Sequence, residues 1–172
     1  ALVIAGGGSL PSEVIDRFIA TAGGQEAHLV IIPTASSRAD DPALAEDLLA
    51  PWKDRPHASL QLLHTRDREK ANNVEFLEPL TQATGVWLMG GQQQRIADAY
   101  VGTRFEAELL KLLDRGGVVG GSSAGAAVQS RLMIASGRTE AVISTGFDLL
   151  PGTVIDQHFS QRSRIGRLMG VV

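Results

Sequence analysis

Residues 116–128, GGVVGGSSAGAAV, hold the step on which the fold turns. The Gly-Val-Val-Gly run reads as a short buried strand, Ser123 lies between Gly121 and Gly125, and 124–129 can open a helix. That is the G-x-S-x-G nucleophile elbow: a sharp strand-to-helix turn lifts one hydroxyl above the sheet, and small neighbours leave room for a substrate. Backbone amides that follow at a helix start can stabilise an oxyanion. The same letters also spell a glycine-rich turn that merely packs a helix on a sheet. The rest of the chain has to separate the two readings.

On either side, apolar runs of four to six residues alternate with longer amphipathic patterns. This predicts a doubly wound α/β fold, a mostly parallel sheet with helices on both faces. Strands are expected at 2–5, 29–32, 60–63, 86–89 and 153–157, besides the one that leads into the elbow, and helices at 11–22, 42–49, 76–83 and 105–113. The first helix has Val14, Ile15, Phe18 and Ile19 on one face, and the last has Leu109, Leu110 and Leu113 at helical spacing. Asp40 and Asp41 are candidate caps for the helix at 42–49. Ligands of such sheets collect at the carboxyl ends of the strands. Loops 6–9, 34–37 and 90–95, and the elbow taken together with 156–167, all meet that test.

At 172 residues the chain is expected to form a single domain, 1–172. Hydrophobic residues at 44% and charged residues at 20% describe a globular chain, and no apolar stretch approaches the length of a membrane span. A net charge of -3 and a single tyrosine, Tyr100, leave no footprint for nucleic acid. Without cysteine there is no disulfide framework, no thiolate nucleophile and no cysteine-based zinc site. No targeting signal precedes the first strand, so a cytoplasmic protein is expected.

A serine hydroxyl reacts near neutral pH only when a base takes its proton. His28 and His57 precede strands and fall at the wrong edge of the sheet, whereas His64 and His158 follow strands and can both approach Ser123. His158 is preferred because its expected strand follows the elbow and it is embedded in polar residues. A third group should orient the imidazole, and Glu140, between the elbow and His158, is favoured over Asp148 and Asp156. Arg162, Arg164 and Arg167 follow closely, and three guanidinium groups beside a histidine suggest an anionic substrate held through its carboxylates. In GGQQQR, at 90–95, the backbone can give a second oxyanion donor and Gln93 can read an amide or carboxylate. A nonenzymatic phosphate- or nucleotide-binding domain is the alternative from another class. Against it, 6–11 (GGGSLP) fails G-x-G-x-x-G at its last position, and no Walker-type Gly-Lys-Ser/Thr is present.

Five stretches together resemble one family: VIAGGG at 3–8, IIPTAS at 31–36, GGQQQR at 90–95, the elbow, and IDQHFSQRSRIGRL at 155–168. The chain is similar to the cyanophycinases and their relatives the aspartyl dipeptidases, serine peptidases on a class I glutamine-amidotransferase-like, flavodoxin-like three-layer α/β fold. The resemblance implies Ser123 as nucleophile, His158 as base and Glu140 as third member. It also implies Ala124 with Gly91 or Gln92 as oxyanion donors, and a substrate pocket of Gln93, Asp156, Gln157, Arg162, Arg164 and Arg167. The implied reaction is hydrolysis of cyanophycin, a polyaspartate backbone carrying arginines on its side-chain carboxyls, to β-Asp-Arg dipeptides. An aspartyl dipeptidase acting on short peptides is the near alternative. No metal or cofactor is needed, and a homodimer is implied.

Two departures from the family pattern stand out. Gly90-Gly91-Gln92-Gln93 replaces the usual Gly-Gly-Asp-Gln. Residues 136–147 look compressed, and N-terminal residues, a loop there and a C-terminal part are expected to lie outside the 172 residues.

Overall fold

In the computed structural model, which describes residues 1–171, five short apolar runs form one parallel sheet. The strands are β1 (Leu2–Ala5), β2 (His28–Ile32), β3 (Ser59–Leu62), β4 (Gly85–Leu88) and β5 (Val118–Ser122), in the order β1-β5-β4-β2-β3. The helices are α1 (Ser12–Thr21), α2 (Ala45–Lys53), α3 (Val74–Gln82), α4 (Gln93–Tyr100), α5 (Arg104–Asp114), α6 (Ala124–Ala127) and α7 (Ile165–Met169). Two more strands, β6 (Leu132–Ser136) and β7 (Val142–Thr145), pair antiparallel as a separate hairpin.

The apolar runs are continuous because both faces of the sheet are covered. Leu29, Ile31, Trp87 and Val118 pack against Ile15, Phe18 and Ile19 of α1 and Trp52 of α2. Their alternates Val30, Ile32, Val86, Leu88 and Val119 pack on the opposite side against Leu77 and Leu80 of α3, Ile96 of α4, and Phe105, Leu109 and Leu112 of α5. Each such side chain, fully buried, contributes about 1.5–3 kcal/mol relative to exposure. The layering also follows from handedness. From β1 to β3 the chain advances toward one edge with α1 and α2 on one face, then returns through β4 to β5 with α3, α4 and α5 on the other. Right-handed crossovers require that change of face when the direction of winding reverses. As a result β5 ends between β1 and β4, and the loops after those two strands flank the elbow.

The doubly wound three-layer architecture is the one the sequence predicts, with four local differences. α5 buries Phe105, Leu109 and Leu112, while Leu110 is exposed, so its inner face is rotated from the expected Leu109, Leu110 and Leu113. Asp41, whose carboxylate accepts from the Ala43 N–H at 3.0 Å, is the cap before α2, whereas Asp40 turns to other partners. α4 and the β6–β7 hairpin were not expected from the sequence. The predicted strand at 153–157 is absent: the Gln157 carbonyl is taken by the Arg164 guanidinium at 2.5 Å, and His158 has φ +51°. β-branched residues make a strand only where a ladder partner is open to them. Among the described residues no helix is long and apolar enough to cross a membrane.

Candidate active site

Ser123 leaves β5 with φ +52° and ψ -107°, a backbone conformation costly for a side chain that has a Cβ. What holds it there is close packing. A methyl group at Gly125 would fall on the Leu88 carbonyl oxygen, and one at Gly121 on the Gly125 carbonyl. α6 therefore lies against the ends of β4 and β5 at a distance only glycine permits. The Ser123 N–H is fixed by the Ala5 carbonyl of β1 at 2.9 Å.

The hydroxyl so raised meets His158, with Oγ 2.9 Å from Nε2. His158 is anchored through its own N–H to the Gly6 carbonyl at 2.7 Å, and its ring lies over Gly7, where a Cβ would come within 2.6 Å of Cε1 and Nε2. The base is thus held by the loop after β1, one strand from the nucleophile, and Gly7 serves as a bed for the imidazole. Burial is the main force that lowers the His158 pKa below its ordinary value, with Arg162 and then Arg164 adding to it.

On the other side of Ser123 lies the loop after β4. The position a Cβ would take on Gly90 is 3.5 Å from Ser123 Cβ, so the turn abuts the nucleophile. The N–H groups of Gly91 and Ala124 donate to no acceptor among the described residues. The Gln92 N–H, the expected alternative, is taken by the Ala35 carbonyl at 2.9 Å, which removes it as an oxyanion donor. Gly91 has φ +145°, and a Cβ there would run into that same Ala35 carbonyl.

A cleft of about 450 Å³ opens over the pair, lined by Gly91, Gln93, Ala135, Gly137, Gln157 and the arginines. The three guanidinium groups are not equivalent. Arg167 is buried, donates through Nε to Asp156 at 3.1 Å and through Nη1 to the Gly137 carbonyl at 2.5 Å, and pairs with the same carboxylate through Nη2. Arg164 lies 3.5 Å from Asp156 and bonds both the carbonyl and the side-chain oxygen of Gln157. Arg162 is exposed and makes no ion pair or side-chain hydrogen bond among the described residues. Asp156, expected in the substrate pocket, is instead the buried hub of this ion-pair cluster, its side chain only 1% exposed. Gln93 is also spoken for in part: its amide nitrogen donates to the Ile134 and Ala135 carbonyls of β6, both at 2.7 Å. It fixes the hairpin wall of the cleft and leaves only its carbonyl oxygen for a ligand.

Glu140 does not join the imidazole. It is exposed in the turn between β6 and β7 and makes no hydrogen bond with His158. Asp148, the other competitor, pairs with Arg131 at 3.6 Å. No carboxylate touches His158 Nδ1 among the described residues, so the geometry is that of a serine–histidine dyad. His64, the alternative base, is bonded to Thr34 and Asp40 and does not reach Ser123. Sequence reasoning missed Gly7 as the seat of the imidazole, although the glycine run directly after a strand was a usable signal, and missed the β6 wall altogether.

The family model described as Peptidase family S51 matches residues 2–172. The chain belongs to that family. It is 32% identical over 170 residues to a cyanophycinase of Trichormus variabilis, covering 93% of this chain and 56% of that protein. A cyanophycinase of Synechococcus elongatus is 33% identical over 169 residues, with 93% and 52% covered. The chain spans about half the length of the curated relatives it matches. Among solved structures, a peptidase from an acI-B1 Actinobacterium shares the fold with a TM-score of 0.75 at 24% identity over 93% of this chain and 68% of that one. A putative peptidase E protein of Listeria monocytogenes shares it at 0.57 and 16% identity, with 87% and 74% covered.

Proposed function

We propose that this S51 member is a serine exopeptidase that cleaves the polyaspartate backbone of cyanophycin and releases β-Asp-Arg dipeptides. The observation that carries the reading is the 2.9 Å contact between Ser123 Oγ and His158 Nε2 at a strained elbow, facing a cleft whose charged lining is all cationic. Ser123 Oγ attacks the scissile carbonyl carbon as its proton passes to His158 Nε2, and the developing oxyanion accepts hydrogen bonds from the Gly91 and Ala124 N–H groups. The imidazolium then gives its proton to the departing amine, leaving an acyl group on Ser123. Water, deprotonated by the same imidazole, attacks the ester and releases the acid. A histidine kept neutral by burial suits the base, since only the unprotonated ring accepts the serine proton.

Arg164 and Arg167 share the single carboxylate of Asp156 and Arg162 adds a third cation to the cleft lining, so the cluster is left positive and favours an anionic substrate. Arg162, the arginine without a protein partner among the described residues, is the group that takes an aspartyl carboxylate. Arg164 and Arg167 hold the frame through Asp156. The test is incubation of the purified protein with cyanophycin and mass spectrometry of the products. Release of β-Asp-Arg dipeptide, abolished by Ser123→Ala, is expected. Intact polymer with cleavage of short N-terminal aspartyl peptides would make it an aspartyl dipeptidase instead, and no cleavage of either would refute the peptidase reading.

A further inference from the structure

Outside the cleft, the hydroxyl of Thr34 belongs to a side chain with no exposed surface. It lies 2.9 Å from His64 Nδ1 and 2.9 Å from the Tyr100 hydroxyl. The chain of bonds continues at both ends: the Thr65 N–H donates to the Tyr100 oxygen at 3.0 Å, and His64 Nε2 is 2.9 Å from Asp40 Oδ1. With the imidazole neutral and its proton on Nε2, every donor finds one acceptor. Thr65 N–H gives to Tyr100, Tyr100 O–H to Thr34, Thr34 O–H to His64 Nδ1, and His64 Nε2–H to Asp40. Burial raises the Tyr100 phenol above its usual pKa, so its proton stays in place as a donor. The hydrogen bond from His64, helped by Arg66, holds the Asp40 carboxyl below its usual pKa, as an acceptor at the far end.

This chain grips one short loop, the segment between β2 and α2, from several directions. His64 and Arg66 come from the exit of β3, with Arg66 donating to Asp40 at 2.8 Å and to the Ser36 carbonyl at 2.9 Å. Tyr100 comes from the end of α4. The gripped loop holds in turn the turn beside Ser123. The Ala35 carbonyl, next to Thr34, accepts from the Gln92 N–H at 2.9 Å and from Arg95 Nη1 at 3.2 Å, and it occupies the space a Cβ on Gly91 would need. A buried hydroxyl carries a desolvation cost unless it is bonded, and a valine would fill the same volume without that liability. The polar chain therefore calls for an account beyond packing.

We propose that Thr34, bonded to His64 and Tyr100, is a positioning residue that fixes the Ala35 carbonyl and through it aims the Gly91 N–H at the oxyanion formed on Ser123. The inference rests on the serine-peptidase reading. A donor displaced by a fraction of an ångström loses most of its value in the transition state while leaving ground-state binding to the arginine side of the cleft untouched.

The experiment compares wild type, Thr34→Val, Thr34→Ser and His64→Gln in two assays: kcat and KM on cyanophycin, and the rate at which a fluorophosphonate labels Ser123. Thr34→Val and His64→Gln are expected to lower kcat and the labelling rate together by about 10- to 100-fold, with KM within about twofold. Thr34→Ser, which restores the hydroxyl, is expected to recover most of both. Labelling of Thr34→Val and His64→Gln at the wild-type rate, or a serine variant no better than the valine one, overturns the inference while leaving the peptidase intact. Wild type that resists the reagent overturns the peptidase reading itself. Wild type that is labelled but spares cyanophycin overturns only the substrate, and the labelling rates still decide the role of Thr34. Should Thr34→Val fail to fold, His64→Gln carries the comparison alone.

Discussion

Nucleophile and base are held in place by opposite means. Ser123 is fixed by backbone packed on backbone, with Gly121 and Gly125 wedged between the ends of β4 and β5 so closely that no side chain fits. His158 stands in a segment with no ladder partners, tied to the sheet by one N–H bond to Gly6 and stabilised behind by the buried Asp156–Arg167 pair. The first region is written in small residues at fixed spacing, the second in long charged ones whose partners lie elsewhere. A strained nucleophile needs steric confinement, whereas a base needs only the right distance, and charge pairing can deliver that.

If steric confinement is what makes the elbow, Gly125→Ala should have the largest effect. Its methyl would fall on the Leu88 carbonyl in the core of the sheet, with neither backbone free to move. Overpacking of this kind costs about 1–3 kcal/mol or more, and here the cost is borne at the turn that strains Ser123. The expected outcome is loss of soluble protein, or a fold that survives with Ser123 unlabelled by a serine-directed reagent. Near-wild-type labelling would show that the elbow tolerates a wider approach than its geometry implies.

The charge-built side breaks differently. Asp156→Asn leaves Arg167, almost wholly buried, without its counter-ion, and removal of one partner from a buried pair costs about 3–5 kcal/mol. The five-stranded sheet does not depend on that pair. Thermal unfolding should therefore show the segment around His158 loosening before the main transition, with turnover lost while the elbow keeps its fold. Equal loss of both in one transition would mean that the two regions are a single cooperative unit. Activity alone does not separate the two outcomes, so the melting curve is the deciding measurement.

The same contrast sets what could be read from the sequence. Elements whose pattern reports their own environment were legible: the five parallel strands, the elbow, and the pairing of Ser123 with His158. What escaped depended on partners far away in the chain. The strand expected at 153–157 had the composition of a strand, but the Gln157 carbonyl went to Arg164 instead of a neighbouring strand. Gln93, expected to meet a ligand, is mostly taken by the carbonyls of β6, a strand the sequence does not predict. Arg162, Arg164 and Arg167 look alike as letters, and only the folded structure separates the cation without a partner among the described residues from the two that brace Asp156. Glu140 was favoured from its place in the chain order, which carries no distance information, and the hairpin turn holds it away from the imidazole.

The smallest expected effect concerns the charge around the base. His158 must be unprotonated to accept the serine proton, and its pKa is lowered by burial first and by Arg162 next. The acid limb of kcat/KM should accordingly lie below about 6.5, the ordinary histidine value, with activity rising as pH increases through it. Arg162→Gln removes one cation near the ring but not the burial, so the limb should move to higher pH by a fraction of a unit. Because Arg162 is exposed, the melting temperature should hardly change, while KM for an anionic substrate rises by about tenfold, the worth of one charge-assisted contact. A limb that stays put while KM rises would assign Arg162 to substrate alone. A limb that shifts with KM constant would assign it to the base, and leave the aspartyl carboxylate to be held by the guanidinium groups of the buried frame.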